Sequence, residues 1–209
     1  MARVSQEHLD ARRRQIIEGA ARCFARNGFH ATSMQDVLKE VDLSAGAVYR
    51  YFSSKDELIA AIVKGVLSEV RAAFEEVTRQ SPPPPPDELV GEVLGRTLGI
   101  WDTLVVDGRA AFPLLIMQVW AETVRDPELA AVMDEVYGVV NVAWVRVVEA
   151  YQEAGMMRAD VPADHVARTM VSFVQGFIAQ QSLVGPIPIE VLQDGLRALM
   201  SMTGPRSGA

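Results

Sequence analysis

Residues 32–51 contain two short helical segments that cannot be stable on their own. The first segment ends near Val41, and the second is capped by Ser44 and reaches about Tyr51. Because isolated helices of about two turns are marginal in water, they must pack against each other and against the helix before them. The apolar contact between them is supplied by Val37, Val41, Leu43, Val48 and Phe52. The segment therefore predicts a compact arrangement of three helices.

Capping residues mark the ends of the first helices. Residues 9–27 have apolar side chains at steps of three and four, which is the helical period. Gly28 then offers the positive φ of a helix C-terminus. Thr32, with Gln35 three residues later, predicts a capping box at the start of the next helix. A second capping box at 54–57 opens a longer helix.

The rest of the chain is also divided into helical segments. Five prolines, residues 82–86, form a stiff extended connector, which we interpret as a solvated spacer and not as a recognition ligand. We find no strand with alternating apolar and polar residues, so the sequence predicts an all-α chain of about nine helices. The later helices are expected at residues 54–79, 87–108, 111–125, 127–154, 163–184 and 189–202.

Composition excludes several classes of protein. With 209 residues and 49% apolar side chains, the chain can bury a sizeable core, and wholesale disorder is not expected. No uncharged apolar stretch is long enough to span a membrane, and the first residues lack the apolar block of a signal peptide. The single cysteine, Cys23, cannot form an internal disulfide. A cytoplasmic protein without membrane association is expected.

The sequence gives little support for an enzyme. Its three histidines, His8, His30 and His165, are scattered, and neither a His-Glu-x-x-His motif nor a pair of cysteines suggests a metal. A glycine-rich phosphate loop is missing as well. We therefore expect no catalytic residues, no cofactor and no metal.

Charge is distributed unevenly along the chain. The net charge is −7, yet residues 1–64 hold ten Lys/Arg against eight Asp/Glu, a balance of +2. Residues 65–209 hold the other ten Lys/Arg against nineteen acids, a balance of −9. A mildly basic N-terminal segment on an acidic body indicates local contact with a polyanion, although acidic bodies also serve solubility.

The second short helix has features of a DNA-recognition helix. Ala45, Gly46 and Ala47 are small enough for close approach of a helix N-terminus to DNA. Tyr49 and Arg50 follow, with polar tips that reach phosphates or base edges. An ordinary helical hairpin is the alternative, and a helix-turn-helix is the interpretation that uses these residues.

Three helix N-termini occur within about twenty-five residues of this segment. Ser33, Ser44 and Lys55 lie at or beside them. The free backbone N–H groups and the dipole of a helix N-terminus attract phosphate. Three such sites close together favour DNA binding over a purely structural hairpin.

These residues form a recognisable pattern. The block from Phe24 to Val37 and the block from Leu43 to Leu58, with Ser-x-Gly-x-Val-Tyr-x-Tyr-Phe-x-x-Lys at 44–55, resemble the signature of the tetracycline-repressor (TetR) family. The resemblance covers about residues 10–60. It implies a dimeric regulator, usually a repressor, that binds a double-stranded DNA operator and is released by a small molecule.

The resemblance also implies an architecture and a set of contacts. Residues 1–54 would form the helix-turn-helix domain, and residues 55–209 a helical ligand-binding and dimerisation domain, linked by the helix from residue 55. Lys55 matches a lysine that clamps phosphate, and Thr32 and Ser33 match the phosphate-contacting start of the preceding helix. The recognition helix would carry Ser44, Ala45, Gly46, Tyr49 and Arg50.

Two positions depart from the family pattern. Asp42 stands where glycine is common, and Asp tolerates a left-handed conformation better than most residues. Ala45 stands where lysine is common, which removes one potential contact with DNA. These departures affect which operator sequence the protein prefers and leave the mode of DNA binding unchanged.

The C-terminal region is rich in aromatic and methionine side chains. These side chains suit either an ordinary core or a pocket for a lipophilic or aromatic ligand. The amides of Gln118, Asn141 and Gln175 lie within apolar runs and need hydrogen-bond partners, which a ligand, the backbone or solvent can supply. The predicted ligand-binding residues are Trp101, Met117, Gln118, Trp120, Tyr137, Asn141, Trp144, Phe173 and Phe177.

The last two helices have wide apolar faces, which are more extensive than one packing partner requires. Burial within the subunit is one interpretation. The resemblance implies the other, a four-helix homodimer interface through residues 163–202. Two functions remain open from the sequence: a ligand-responsive transcriptional regulator, and a protein that sequesters small lipophilic molecules and uses its helix-turn-helix only as structure.

Overall fold

The structure is a computed structural model that describes residues 6–80, 83–99 and 104–201, without the side chains of residues 77 and 78. Within these ranges it contains nine helices, as the sequence predicts. None of them is long and apolar enough to cross a membrane. The helices are α1 (Gln6–Asn27), α2 (Met34–Val41), α3 (Ala45–Tyr49), α4 (Lys55–Thr78), α5 (Pro86–Gly99), α6 (Ala111–Thr123), α7 (Pro127–Glu153), α8 (Ala163–Leu183) and α9 (Ile189–Met200).

A short β-hairpin corrects the expectation that the chain contains no strand. The helix predicted to reach residue 108 ends at Gly99, and β1 (Val105–Val106) then pairs antiparallel with β2 (Arg109–Ala110). The two residues between the strands, Asp107 and Gly108, have φ values of 50° and 75°. Two successive positive φ angles are what a two-residue hairpin turn of type I′ requires.

The described residues fall into two compact units. The first lies within Met1–Ser68 and Ile100–Val136, and the second within Glu69–Gly99 and Tyr137–Ala209. In the first unit α1 packs against both α2 and α6, and in the second unit α5 packs against α9. The predicted functional division after residue 54 stays a prediction.

Local capping explains where the helices begin. Asp126 accepts hydrogen bonds from the backbone of Glu128 and Leu129, which satisfies the first turn of α7. At α4, the Ser54 hydroxyl accepts from the Glu57 N–H, while the Glu57 carboxylate accepts from the N–H of Ser53. The capping predicted at residues 54–57 is therefore present, although its reciprocal bond reaches one residue further back.

Candidate DNA-binding interface

Helix α2 is fastened to α1 by charge and by close packing. The Glu40 carboxylate accepts hydrogen bonds from Arg22 at 2.6 Å and from Arg26 at 3.2 Å. Desolvation raises the pKa of Glu40, but the two arginines outweigh it and leave the pKa below its ordinary value. A Cβ at Gly19 would lie 2.2 Å from Cγ1 of Val41. Glycine therefore lets the two helices approach closely.

The N-terminus of α2 is capped by Ser33, one residue later than predicted. The Ser33 hydroxyl accepts from the Asp36 N–H at 3.2 Å, and the Asp36 carboxylate accepts from the Ser33 N–H at 2.9 Å. The Ser33 hydroxyl also donates to the Asp36 carboxylate at 2.6 Å, and this bond, with the one from the Ser33 N–H, lowers the pKa of Asp36. The capping box predicted at Thr32 and Gln35 is therefore wrong in register. Ser33 lies exposed at the helix start.

Thr32 does not present its side chain to a partner. Its side chain is buried, and its hydroxyl donates to the carbonyl oxygens of Cys23 at 3.2 Å and Gly28 at 2.8 Å. A hydroxyl used in this way has no proton left for a phosphate. Thr32 instead fixes the loop between α1 and α2, so we leave its side chain out of the proposed contacts with DNA.

The turn between α2 and α3 has the predicted conformation. Asp42 takes the left-handed conformation, with φ of 52°, where it ends α2. Ser44 caps α3 by accepting from the Ala47 N–H at 3.3 Å. At Gly46 no atom lies within 4 Å of the position that a Cβ would occupy. Glycine at position 46 is therefore not required by packing inside the protein and leaves room for a partner.

The two large polar residues of the recognition helix are available to a ligand. Tyr49 is 48% exposed, and the exposed Arg50 ends the helix. Within the described residues, the Arg50 guanidinium has no hydrogen-bond or ion-pair partner. An unpaired guanidinium beside an exposed phenol can donate to phosphates and to the major-groove edge of guanine.

Lys55 is held in place before any DNA arrives. Its Nζ atom donates to the carbonyl oxygen of Phe29 at 2.9 Å and lies 4.4 Å from the centre of the Phe29 ring. An ammonium group has three N–H donors, so two remain for a phosphate. The first turn of α4 thus carries a half-buried cation with fixed position beside free backbone N–H groups.

Comparisons with known proteins point to one family. Residues 16–62 match the family model described as "Bacterial regulatory proteins, tetR family". The HTH-type transcriptional repressor Rv1474c of Mycobacterium tuberculosis is 24% identical over 180 residues, which cover 86% of this chain and 87% of that relative. Salmonella enterica GusR has a solved structure that superposes with a TM-score of 0.69 at 25% identity, covering 96% of this chain and all of that one. Residues 16–62 therefore match the DNA-binding segment of the TetR family, and nearly the whole chain is similar to regulators of that family.

These similarities make the protein a DNA-binding transcriptional regulator and not an enzyme, in agreement with the sequence. Its all-α fold is shared more widely than its sequence. FadR of Bacillus subtilis, solved in complex with stearoyl-CoA, superposes with a TM-score of 0.71 at 14% identity, covering 90% of this chain and 96% of that one. This likeness shows the fold.

Two residues of α6 lie against the loop that follows α1, a link that sequence reasoning missed. His30 Nε2 lies 2.8 Å from Oε2 of Glu122, whose side chain is only 7% exposed. The Gln118 amide oxygen lies 3.2 Å from the Cβ position of Gly28. A carboxylate among apolar residues near the end of an apolar helix was the available signal, because such a group needs a partner when buried.

The predicted ligand-binding residues are divided between the two units. Trp101 lies outside the described residues. Met117, Gln118 and Trp120 are half-buried in the first unit. The second unit contains the other five, Tyr137, Asn141, Trp144, Phe173 and Phe177.

Two of these side chains are occupied by contacts within the second unit. Trp144 is 2% exposed and packs edge-on against Phe74, with ring centres 5.1 Å apart. The Asn141 amide donates to the Asp164 carboxylate at 2.8 Å, and this bond, with one from Arg168, lowers the pKa of Asp164. In this conformation Trp144 serves the core, and the partner of Asn141 is a carboxylate.

An apolar cavity of about 350 Å³ in the second unit was not predicted. Tyr151 lies at its wall and donates its hydroxyl to the carbonyl oxygen of Pro84. Burial raises the pKa of this phenol, which therefore stays a neutral donor. Three flexible methionine side chains, Met156, Met157 and Met200, supply much of the remaining wall.

Helices α8 and α9 expose large apolar side chains. Leu183 and Val184 at the end of α8 are 73% and 75% exposed, and Val191 and Leu199 on α9 are 58% and 55% exposed. Val191 and Leu199 are eight residues apart and therefore share one helix face. The family resemblance implies that this pair of helices forms a dimer interface, which stays a prediction.

Proposed function

We propose that the protein is a repressor that binds a near-palindromic operator as a homodimer and is released by a small lipophilic molecule. The observation that carries the proposal is the recognition surface. It combines an open helix start at Gly46, an unpaired Arg50 and a pre-positioned Lys55. This arrangement supplies both phosphate contacts and one base-reading side chain, which together define a specific interface with DNA.

The contacts with DNA are expected to have separate roles. Ser44 and Lys55 stand at helix starts, and we assign them to phosphates together with Tyr49. The hydroxyl and the N–H of Ser33 both donate to Asp36, so at the start of α2 we assign the phosphate contact to the free N–H groups that follow Ser33. Arg50 has the reach and the bidentate geometry for the O6 and N7 atoms of guanine, so we assign it to base readout. Ala45 and Gly46 allow the helix to approach the groove closely.

The dimer supports specific binding in two ways. One helix-turn-helix buries too little surface for tight specific binding, whereas two linked copies read paired half-sites. The exposed apolar side chains at residues 183–199 lose unfavourable contact with water when a second copy covers them. A two-fold dimer presents its recognition helices about 34 Å apart, which makes the operator near-palindromic.

The effector is expected to be apolar for much of its surface. FadR, a structural neighbour, binds stearoyl-CoA, and a lipophilic effector suits the aromatic and methionine side chains of the present chain. The methionine-lined cavity is a candidate site besides the residues predicted from the sequence. A ligand changes DNA affinity only if it prefers one conformation of the protein. Helix α4 begins at Lys55, and we propose that it transmits the conformational change from the ligand site to the recognition surface.

The proposal is tested by selecting genomic DNA fragments with purified protein and then screening lipophilic compounds for their release. We expect a small set of fragments that share a near-palindrome, and at least one class of compound that displaces the protein. Arg50→Ala serves as the matched control, because it should lose the shared sequence while it retains weak general binding. A wild-type protein that enriches no sequence at moderate salt contradicts the proposal.

A further inference from the structure

A groove of about 590 Å³ lies between α1 and α4 in the first unit. The half-buried Ile17 of α1 supplies apolar surface, and the nearly buried Ala61 and Ile62 of α4 lie at the floor. Neither the recognition surface nor the predicted ligand-binding residues include any part of its lining. The groove therefore lacks a role in the function proposed above.

The rim of the groove is positively charged on an otherwise acidic protein. Three cations, Arg13, Arg14 and Lys64, line it, against one acid, Glu18. Arg13 already lies over the Phe52 ring, with its guanidinium carbon 5.3 Å from the ring centre. Within the described residues, Arg14 and Lys64 have no hydrogen-bond or ion-pair partner. They are two exposed cations on facing helices, beside apolar surface.

Gly65 keeps the groove open on the side of α4. No atom lies within 4 Å of the position that its Cβ would occupy, so packing does not require glycine there. Glycine in the middle of a helix is unfavourable compared with alanine, because it loses more conformational freedom on folding. An open position of this kind lets a partner approach the backbone of α4 closely.

We propose that this groove binds a single-chain amphiphile with an anionic head group, a carboxylate or a phosphate. Arg14 and Lys64 hold the head group between α1 and α4, and the chain lies along Ile17, Ala61 and Gly65. Charge complementarity selects an anion, and the apolar surface selects one with a hydrocarbon portion. The proposal is that this groove binds a ligand without reacting with it, and this binding does not depend on recognition of the operator.

DNA fits the groove less well. Residues 61–65 lie six to ten positions along α4 from Lys55, which is about 9–15 Å at the rise of an α-helix. An apolar floor also offers nothing to a phosphate backbone, whereas it stabilises a hydrocarbon chain. A role in DNA binding would appear as a change in the salt dependence of operator affinity.

Calorimetric titration of the full-length protein without DNA tests the proposal, with octyl phosphate, inorganic phosphate and octyltrimethylammonium as probes. We expect octyl phosphate to bind once per protomer, inorganic phosphate to bind at least about tenfold more weakly, and the cation not to bind at this site. The double variant Arg14→Ala/Lys64→Ala should weaken the binding of octyl phosphate by about tenfold or more. Glu18→Gln removes a negative charge from the rim and should strengthen this binding.

Filling the groove provides a second variant that retains the charges. Gly65→Leu should abolish octyl phosphate binding, while Gly95→Leu, at an equally open glycine of α5, should leave it unchanged. Circular dichroism and thermal unfolding show whether each variant stays folded. Unchanged binding in the double variant and in Gly65→Leu overturns the proposal. So does inorganic phosphate that binds as tightly as octyl phosphate, or a groove whose charge variants alter only the salt dependence of operator binding.

Discussion

The ammonium group of Lys55 lies 2.9 Å from the carbonyl oxygen of Phe29 and 4.4 Å from the centre of the Phe29 ring. The contact joins the first residue of α4 to the loop that leads into α2. A carbonyl and an aromatic face both stabilise a cation without neutralising it. Lys55 is thus oriented by the protein while its charge stays available to phosphate.

Lys55 and Arg50 are expected to differ in how their loss affects operator binding. Lys55→Ala should weaken binding to all DNA sequences alike, because one phosphate contact is lost. The slope of log affinity against log salt concentration should fall by about one unit for each protomer. Arg50→Ala should cost about 1–3 kcal/mol on the operator and relax specificity at one position of each half-site. Fluorescence anisotropy with operator and scrambled DNA at several salt concentrations measures both. Equal loss of specificity in the two variants contradicts the assigned roles.

Two glycine-to-alanine substitutions should change stability in opposite directions. Gly19→Ala places a methyl group against the buried Val41 and should destabilise the protein by about 1–3 kcal/mol through overpacking. Gly95→Ala meets no neighbouring atom and should stabilise α5 by up to about 1 kcal/mol. Urea unfolding of both variants provides the measurement. A stable Gly19→Ala variant would show that α1 and α2 are not in close contact.

The interaction of Glu40 with Arg22 and Arg26 should make stability depend on pH in the acidic range. Since the folded pKa lies below the ordinary value of 4.5, the stabilisation is complete above that pH and is lost as pH falls through the folded pKa. Glu40→Gln should therefore destabilise the protein by about 1 kcal/mol at neutral pH and progressively less below pH 4.5. Glu76→Gln, at an exposed pair with Arg79, is the control and should change little. A pH-independent effect of Glu40→Gln would mean that charge is not the cause.

Two substitutions on α9 test the dimer. Val191→Glu together with Leu199→Glu introduces charge into the exposed apolar face and should convert a dimer into a monomer in light scattering at micromolar concentration. Glu190→Gln, an exposed polar position of the same helix, should leave the mass unchanged. The monomeric variant should also bind operator much more weakly, because the two half-sites are no longer read together. A wild-type protein with monomer mass, with or without DNA, would contradict the prediction.

Trp144 is expected to matter for folding more than for ligand recognition. Because it is buried against Phe74, Trp144→Ala should cost about 3–5 kcal/mol of stability, the range for removing a large core aromatic. Trp120→Ala, at a half-buried position, should cost less. Urea unfolding followed by tryptophan fluorescence distinguishes the two. A Trp144→Ala variant of nearly normal stability would instead indicate that this side chain lines an open pocket.

Local signals in the sequence were sufficient for most helix starts and for the exposure of Tyr49 and Arg50, whose contact with DNA stays a prediction. Serine and aspartate before apolar periodic segments predicted the starts of α3, α4 and α7, because a cap depends on residues within one turn. The same reasoning misplaced the start of α2 by one residue, since Thr32 and Ser33 are both good caps. Burial of the Thr32 hydroxyl decides the register, and burial depends on the tertiary structure.

The sequence contained a signal for the β-hairpin that the sequence analysis did not use. Asp107-Gly108 between Val106 and Arg109 is a dipeptide typical of a two-residue hairpin turn. The strands are only two residues long, so no alternating pattern accompanied it. By contrast, the pair of His30 and Glu122 joins residues 92 positions apart, and no periodicity or capping rule predicts such a partner.

The contact of His30 with Glu122 limits how this regulator can be recombined with its relatives. Exchange of residues 1–54 alone would replace His30 and leave the Glu122 side chain, which is 7% exposed, without this partner, and a buried polar group without a partner is destabilising. Gln118, one helical turn earlier, faces Gly28 in the same way. A hybrid with a new operator preference therefore has to exchange α6 residues together with the N-terminal segment. Inherited changes in operator choice are expected to follow the same rule, with compensating substitutions at residues 118 and 122.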